Sequence, residues 1–285
     1  MELWLIIGIL GFASSAISTS IDKYMMNHKY GAIKTNALKM FLDGVILLTI
    51  GLLFFNIEIT SSLILWSLIL GSLYAAAGIL YFESLEITDV EEVMPFSNAS
   101  TTLLIFIGSI IFLGETANLG NYIGIILTVI GIYLVLLTNG LKYPKIDKGF
   151  YLMIKMVIFT VIYSLLIKTT LTEIKPINIA ITMYFSTTLF LVSYLVITKK
   201  ESLSFHNEFK KHIPKIALSS FFGASATFLI FFALSIGKAS KVYPLAGLQS
   251  VFILIIATIF LKEKITIKRI LGTIIIFAGI YFITI

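Results

Sequence analysis

Apolar residues run in blocks of about twenty along the whole chain, broken by charges or turn residues, at 3–21, 36–55, 63–85, 93–112, 121–138, 149–167, 179–198, 216–234, 242–261 and 270–285. The hydrocarbon core of a bilayer is about 30 Å thick, and a helix crosses it in roughly 20 residues. Each block therefore predicts a transmembrane helix. The blocks lack the alternation of a barrel strand, and lipid accepts only helices or closed barrels because unpaired backbone groups are costly there. The expected fold is an all-α integral membrane protein with ten spans. The longest connections, 22–35, 139–148, 168–178 and 199–215, leave no room for a sizeable soluble domain, so the function is expected within the membrane. The first block follows Met1-Glu2 without a basic leader and runs into another span, which predicts a retained helix rather than a signal peptide.

The same pattern occurs twice. Leu85, Val93 and Pro95 recur as Leu234, Val242 and Pro244, each 149 residues later. Leu113-Gly114-Glu115 recurs as Leu261-Lys262-Glu263, Gly124 as Gly272, Gly131 as Gly279, and Ile132-Tyr133 as Ile280-Tyr281, all 148 later. Proline, glutamate and glycine are scarce or positionally fixed in such a chain, so these matches carry weight. The repeats divide it into a first half at 1–138, a linker at 139–148 and a second half at 149–285. Five helices per half is an odd number, so the second half must enter the membrane from the opposite side. That is an inverted repeat, the architecture many secondary transporters use for alternating access.

Leu-x7-Val-x-Pro, then about twenty apolar residues to Leu-x-Glu, then Gly-x6-Gly-Ile-Tyr, once per half, resembles the EamA-type branch of the drug/metabolite transporter superfamily. The second copy, ALSIGKASKVYPLAGLQSVFILIIATIFLKEKIT, is the closer to the family pattern. The resemblance implies a carrier of small metabolites, with a central cavity built largely from the third and fourth helices of each half. It names no substrate, because the superfamily spans amino acids, sugars, nucleotide derivatives and drugs.

Composition agrees with the pattern. Hydrophobic residues make up 58% of the chain and charged ones 13%, against roughly 45–50% and 25% in soluble domains, and the mean hydropathy is +1.02. Cysteine is absent, which excludes disulfides and thiolate chemistry. The net charge of +6 does not read as nucleic-acid binding, since no basic stretch is interleaved with aromatics outside the apolar blocks. Basic loops explain it better: the odd-numbered loops, with Lys39 just inside the second helix, hold 16 of the 21 basic residues and the even-numbered loops four. The positive-inside rule then places the odd loops in the cytoplasm and both termini outside. The family resemblance leans the other way, towards cytoplasmic termini. The expected setting is the plasma membrane, with a small-molecule substrate, the lipid bilayer, no cofactor and no metal; a homodimer is compatible with the sequence.

Ionisable residues within spans are the sharpest functional pointers, because each costs roughly 2.5–3.5 kcal/mol at a helix centre on insertion scales. Lys39 and Asp43 sit four apart on helix 2 and are expected to pair with each other, either to let that helix insert or as part of the transport path. Lys155, two turns into helix 6, either snorkels to the interface or offers a counter-charge to an anionic substrate or to Glu83. Glu83 and Glu86 end helix 3 beside Tyr81 and belong to a cluster with Asp89, Glu91 and Glu92. The three turn acids are expected to favour the positive N-terminus of helix 4, whereas Glu83 is either solvated at the interface or deep enough to exchange a proton.

Small polar groups follow the prolines: Ser97, Asn98, Ser100, Thr101 and Thr102 after Pro95, and Gln249 and Ser250 after Pro244. Proline frees carbonyls of the preceding turn, so the starts of helices 4 and 9 are the candidate binding region, with Asn98 and Gln249 the leading residues. Tyr81, Tyr163, Tyr184 and Tyr243 are candidate cavity aromatics. Gly120, Gly124, Gly131, Gly272 and Gly279 have the small-residue spacing that lets helices approach closely. Glu115 and Glu263, matching the family's recurrent glutamate, are expected to cap or gate loops.

An enzyme is not expected. The histidines, His28, His206 and His212, lie in loops without an HExxH pattern, and no Walker-type phosphate loop is present. The competing transport reading is a flippase for lipid-linked sugar or polyprenyl phosphate, for which Lys155 and Lys39 would supply basic groups.

Overall fold

The structure is a computed structural model, and it describes residues 2–26, 31–88, 90–136, 146–199, 212–261 and 266–284, without the side chains of 23–26, 90–94, 260 and 261. Its helices are α1 (Leu3–Met26), α2 (Ala32–Phe54), α3 (Ser61–Leu85), α4 (Val90–Leu113), α5 (Leu119–Leu136), α6 (Lys148–Thr170), α7 (Pro176–Thr198) and α8 (Ile213–Ile236). A ninth crossing, α9, joins a short helix (Ala239–Val242), a 3-10 turn (Tyr243–Leu245) and a helix (Ala246–Leu261), and α10 (Ile267–Thr284) follows. All ten are long and apolar enough to span a membrane.

Several helices outrun their apolar blocks. Helix α1 continues past 21 to Met26, so Asp22 is helical rather than in a loop. Helix α4 begins at Val90, which puts Pro95 inside it rather than at its start. As the sixth residue of the helix it lies beyond the four N-terminal donors that go unpaired in any helix, so it removes one intrahelical bond and leaves a carbonyl of the preceding turn unbonded. Its repeat mate Pro244 instead sits in the 3-10 turn of α9.

The two halves interleave around a pseudo-twofold axis. Helix α1 packs on α8 and α9, as α6 packs on α3 and α4; α2 touches α8, as α7 touches α3. The pairs α2–α7 and α5–α10 lie on the axis itself. In α5–α10 the direction is explicit: Gly124 faces Gly279 and Ile283, whereas Gly131 faces Gly272 and Ile276. The helices are therefore antiparallel, as an inverted repeat requires. A Cβ on Gly279 would lie 2.7 Å from the Gly124 carbonyl oxygen, so the backbones themselves are in contact. Asn121 Nδ2 donates to the Ile283 carbonyl at 3.0 Å in the same seam, and Gly120 lies against the Phe282 carbonyl.

The interior is mainly apolar, but the outside is apolar too, unlike a soluble protein's. Large apolar side chains such as Leu52, Phe54, Ile111, Phe112, Ile126 and Ile274 are exposed, whereas Ser18, Asp43, Ser67, Ser219 and Ser220 are buried. The exposed stripes face lipid, and the polar groups lie between helices.

Candidate functional site

Polar side chains from seven helices converge near the middle of the bundle. Asp43 stands eleven residues into α2, about 16 Å along its axis, and is 1% exposed. Lys39, one turn earlier, does not pair with it. The Lys39 ammonium instead bonds the Asp22 carboxylate on α1 and donates to Ser18 Oγ at 2.8 Å. A lysine four residues before an acid is the less favourable order for a pair on one helix. Asp22 also accepts from Ser219 Oγ of α8 at 2.5 Å, and Ser18 Oγ lies 3.1 Å from Ser219 Oγ.

Neither Asp43 oxygen has a hydrogen-bond partner among the described residues. The nearby hydroxyls are engaged elsewhere: Tyr184 OH is 2.5 Å from Thr227 Oγ1, and Ser220 Oγ donates to the Lys39 carbonyl at 3.3 Å. Opposite stands Gly223 of α8. A Cβ built there would lie 3.0 Å from Asp43 Oδ2, 3.2 Å from Ser18 Oγ and 3.4 Å from Lys39 Cε. A side chain at 223 would thus crowd all three groups at once.

Aromatic rings border this polar core. Tyr74 of α3 lies against Tyr163 of α6 with ring centroids 5.1 Å apart, and Tyr163 OH contacts Met183 Sδ at 3.2 Å. Tyr243 OH donates to the Ser164 carbonyl at 3.0 Å, and Gln249 Nε2 donates to Thr19 Oγ1 at 3.2 Å. Gln249 is thereby placed next to the Ser18–Asp22 stretch.

The remaining candidates scatter. Ser97 is buried and Thr101 half-buried in α4, while Asn98 is exposed. Asn98 is nine residues from the exposed Ile107, about two and a half turns, so it projects from the face opposite the lipid stripe of Leu104, Ile107 and Ile111. Tyr81 packs on Ala77, Met156 and Val157, between α3 and α6. Glu83 Oε1 accepts from Tyr194 OH of α7 at 2.7 Å, which ties the two halves together close to the odd-loop ends of both helices. Lys155 is exposed in register with Tyr151, Ile158 and Ile162, the outer stripe of α6, and so stands away from both Glu83 and the polar core. Glu263 and Asp89 lie outside the described residues, as do the side chains of Glu91 and Glu92.

At the even-loop end, charged groups stitch the halves together. Glu115, in the α4–α5 loop, accepts from Ala239 N at 2.7 Å, Ser240 N at 2.8 Å and Ser240 Oγ at 2.6 Å. It thus caps the N-terminus of α9, whose own N-cap residue, Lys238, supplies no acceptor. Lys238 Nζ reaches back to Thr116, donating to its carbonyl at 3.0 Å and its hydroxyl at 2.8 Å. Lys168 Nζ satisfies the end of α8 through the carbonyls of Leu234 and Gly237, at 2.7 and 2.8 Å. Lys175 pairs with Glu58 at 2.5 Å, again across the halves.

Sequence reasoning missed Asp22, Ser18, Thr19, Tyr74, Lys168 and Gly223. A signal existed for the first three: Ser15, Ser18, Thr19 and Asp22 form a polar stripe at helical spacing on an otherwise apolar helix. Gly223 and Lys168 carry no such local mark.

The family model for EamA-like transporters matches the chain twice, over residues 2–137 and 147–285. A solved crystal structure superposes with a TM-score of 0.80 at 14% sequence identity, over 99% of this chain and 95% of the other, a likeness of fold. No curated protein matches the chain.

Proposed function

The chain belongs to the EamA-like transporter family, and on that premise we propose that it moves small metabolites across the cell membrane by alternating access. The family is one of multi-pass membrane transporters and not of enzymes. Amino acids or related organic solutes, exported or exchanged, are the proposed cargo, and the core around Asp43, Lys39, Asp22 and Gln249 is the proposed site.

The observation that supports this reading is that polar bonds join one half to the other at both ends of the bundle, with the buried polar core between them. At the even-loop end they run through Glu115, Lys238 and Lys175. Towards the odd-loop end they run through Glu83 with Tyr194 and Asp22 with Ser219. Two sets of reversible contacts between inverted halves, one on each side of a site, are what an alternating carrier needs to open one end at a time. The Glu115 contacts would break when the even-loop end opens. Glu83 is the proposed proton-exchanging group: a carboxylate accepting from Tyr194 holds α3 to α7, and protonation would weaken that charge-assisted bond.

The flippase reading is not carried forward. It needs free basic groups at the site, but Lys39 is neutralised by Asp22 and Lys155 lies on the outer stripe. Counterflow in proteoliposomes tests the carrier reading. Vesicles preloaded with an unlabelled amino acid or amine should accumulate the labelled solute transiently, and flux that never depends on the trans solute would contradict exchange.

A further inference from the structure

The charges of the core do not sum to zero. Asp22 and Lys39 neutralise one another, which leaves Asp43 as a second carboxylate with no cation assigned to it. Helix α7, the repeat mate of α2, contains no charged residue at all. Burying an ionised carboxylate without a partner is among the least favourable arrangements a protein can hold, so the group holds a proton until a cation replaces it. Among the described residues its neighbours leave both oxygens open: the hydroxyls of Ser220 and Tyr184 lie close to Asp43 but bond to the Lys39 carbonyl and to Thr227, Lys39 is near enough to attract it but bonds to α1, and the facing residue on α8 is a glycine.

We propose that Asp43 is the docking point for a positively charged nitrogen of the transported solute, and that the carrier's substrates are small amines with one net positive charge. This rests on the transport reading above and narrows its cargo, from amino acids and related solutes to those that carry one net positive charge. An ammonium at Asp43 brings the three charged side chains and the ligand to neutrality. It can donate to both carboxylate oxygens, whereas an anion there would meet two aspartates and one lysine already engaged. Gly223 matters because a methyl at its Cβ position would lie 3.0 Å from Oδ2, where the nitrogen would dock. Tyr74 and Tyr184 are close enough to Asp43 to feel its charge, and their rings offer the ammonium a second, weaker attraction and an apolar wall for the rest of the solute.

Thermal unfolding of the purified full chain in detergent tests this with a matched series: butylamine, butyrate and butanol, in potassium buffer, with a parallel sodium arm. Butylamine at ten times its Kd should raise Tm by roughly 2–4 °C, and butyrate and butanol should not. Asp43→Asn should abolish the response while leaving Tm equal or higher, since it removes a buried unpaired charge. Gly223→Ala should weaken the response at least tenfold in apparent Kd with Asp43 intact, which keeps the test decisive if the first variant does not fold. The proposal is overturned if Asp43→Asn keeps the butylamine shift, if butyrate acts as butylamine does, or if sodium alone gives an Asp43-dependent shift and butylamine none. Because the readout is binding, failure here leaves counterflow free to succeed with other solutes, and failure of counterflow leaves this shift interpretable.

Discussion

Glu115→Ala should release the even-loop end. The substitution removes three hydrogen bonds between 2.6 and 2.8 Å, two of them to backbone donors at the start of α9 that have no other cap. Hydrogen bonds to a charged group contribute about 1.5–3 kcal/mol each, and loss of a helix N-cap costs about 0.5–2 kcal/mol. Glu115 is only half-buried, and water replaces part of what is lost, so about 2–3 kcal/mol is a fair total. If those bonds exist only when the even-loop end is closed, the equilibrium shifts towards the even-open state by roughly 30- to 150-fold. The chain has no cysteine, so a single Ser164→Cys probe reports without background. Ser164 is buried, six residues from the even-loop end of α6, beneath Tyr243. Its labelling by a membrane-impermeant maleimide applied to the even-loop side should speed up at least tenfold in the Glu115→Ala background, with Glu115→Gln intermediate. Unchanged labelling in both would refute the latch.

Three further outcomes follow from the same contacts. Gly279→Ala places a methyl 2.7 Å from the Gly124 carbonyl oxygen and the Thr128 backbone nitrogen, and should destabilise the α5–α10 seam by about 1–3 kcal/mol, read as a lower Tm in detergent. Neutralising Asp22 and Lys39 together, as Asp22→Asn with Lys39→Met, should cost less stability than the two single changes summed, because each single change strands a partly buried charge; additive losses in the double-mutant cycle would argue against the pair. Glu83→Gln should abolish proton-gradient-driven uptake while leaving exchange, measured in proteoliposomes with and without an imposed pH difference, and pH dependence identical to the parent would remove Glu83 from coupling.

The spans, their number and the two inverted halves were readable because each rests on a strong local constraint: twenty apolar residues to cross lipid, and scarce residue types recurring at one offset. The site was readable only in its ingredients. Lys39 and Asp43 stand out as charges within a span, but their spacing suggests a pair whose lysine-first order is the less favourable one, and the true partner, Asp22, lies on a different helix. Glu115 could be recognised as special without revealing what it caps, since Ala239 and Ser240 are more than a hundred residues away. Gly223 is one glycine among 19, and only the neighbours that would crowd its Cβ distinguish it. Lys155 shows the converse: its charge draws attention, but its helical register with Tyr151, Ile158 and Ile162 already sets it on the outer stripe.

The central claim is that transport requires the even-loop end to open and close. A short, cleavable bis-thiol linker between Thr116→Cys and Lys238→Cys, which contact one another across the halves, would hold that end shut. The account predicts that the linked protein in proteoliposomes ceases to exchange solute and recovers when the linker is cut. Exchange continuing at the parental rate with the linker in place would contradict it.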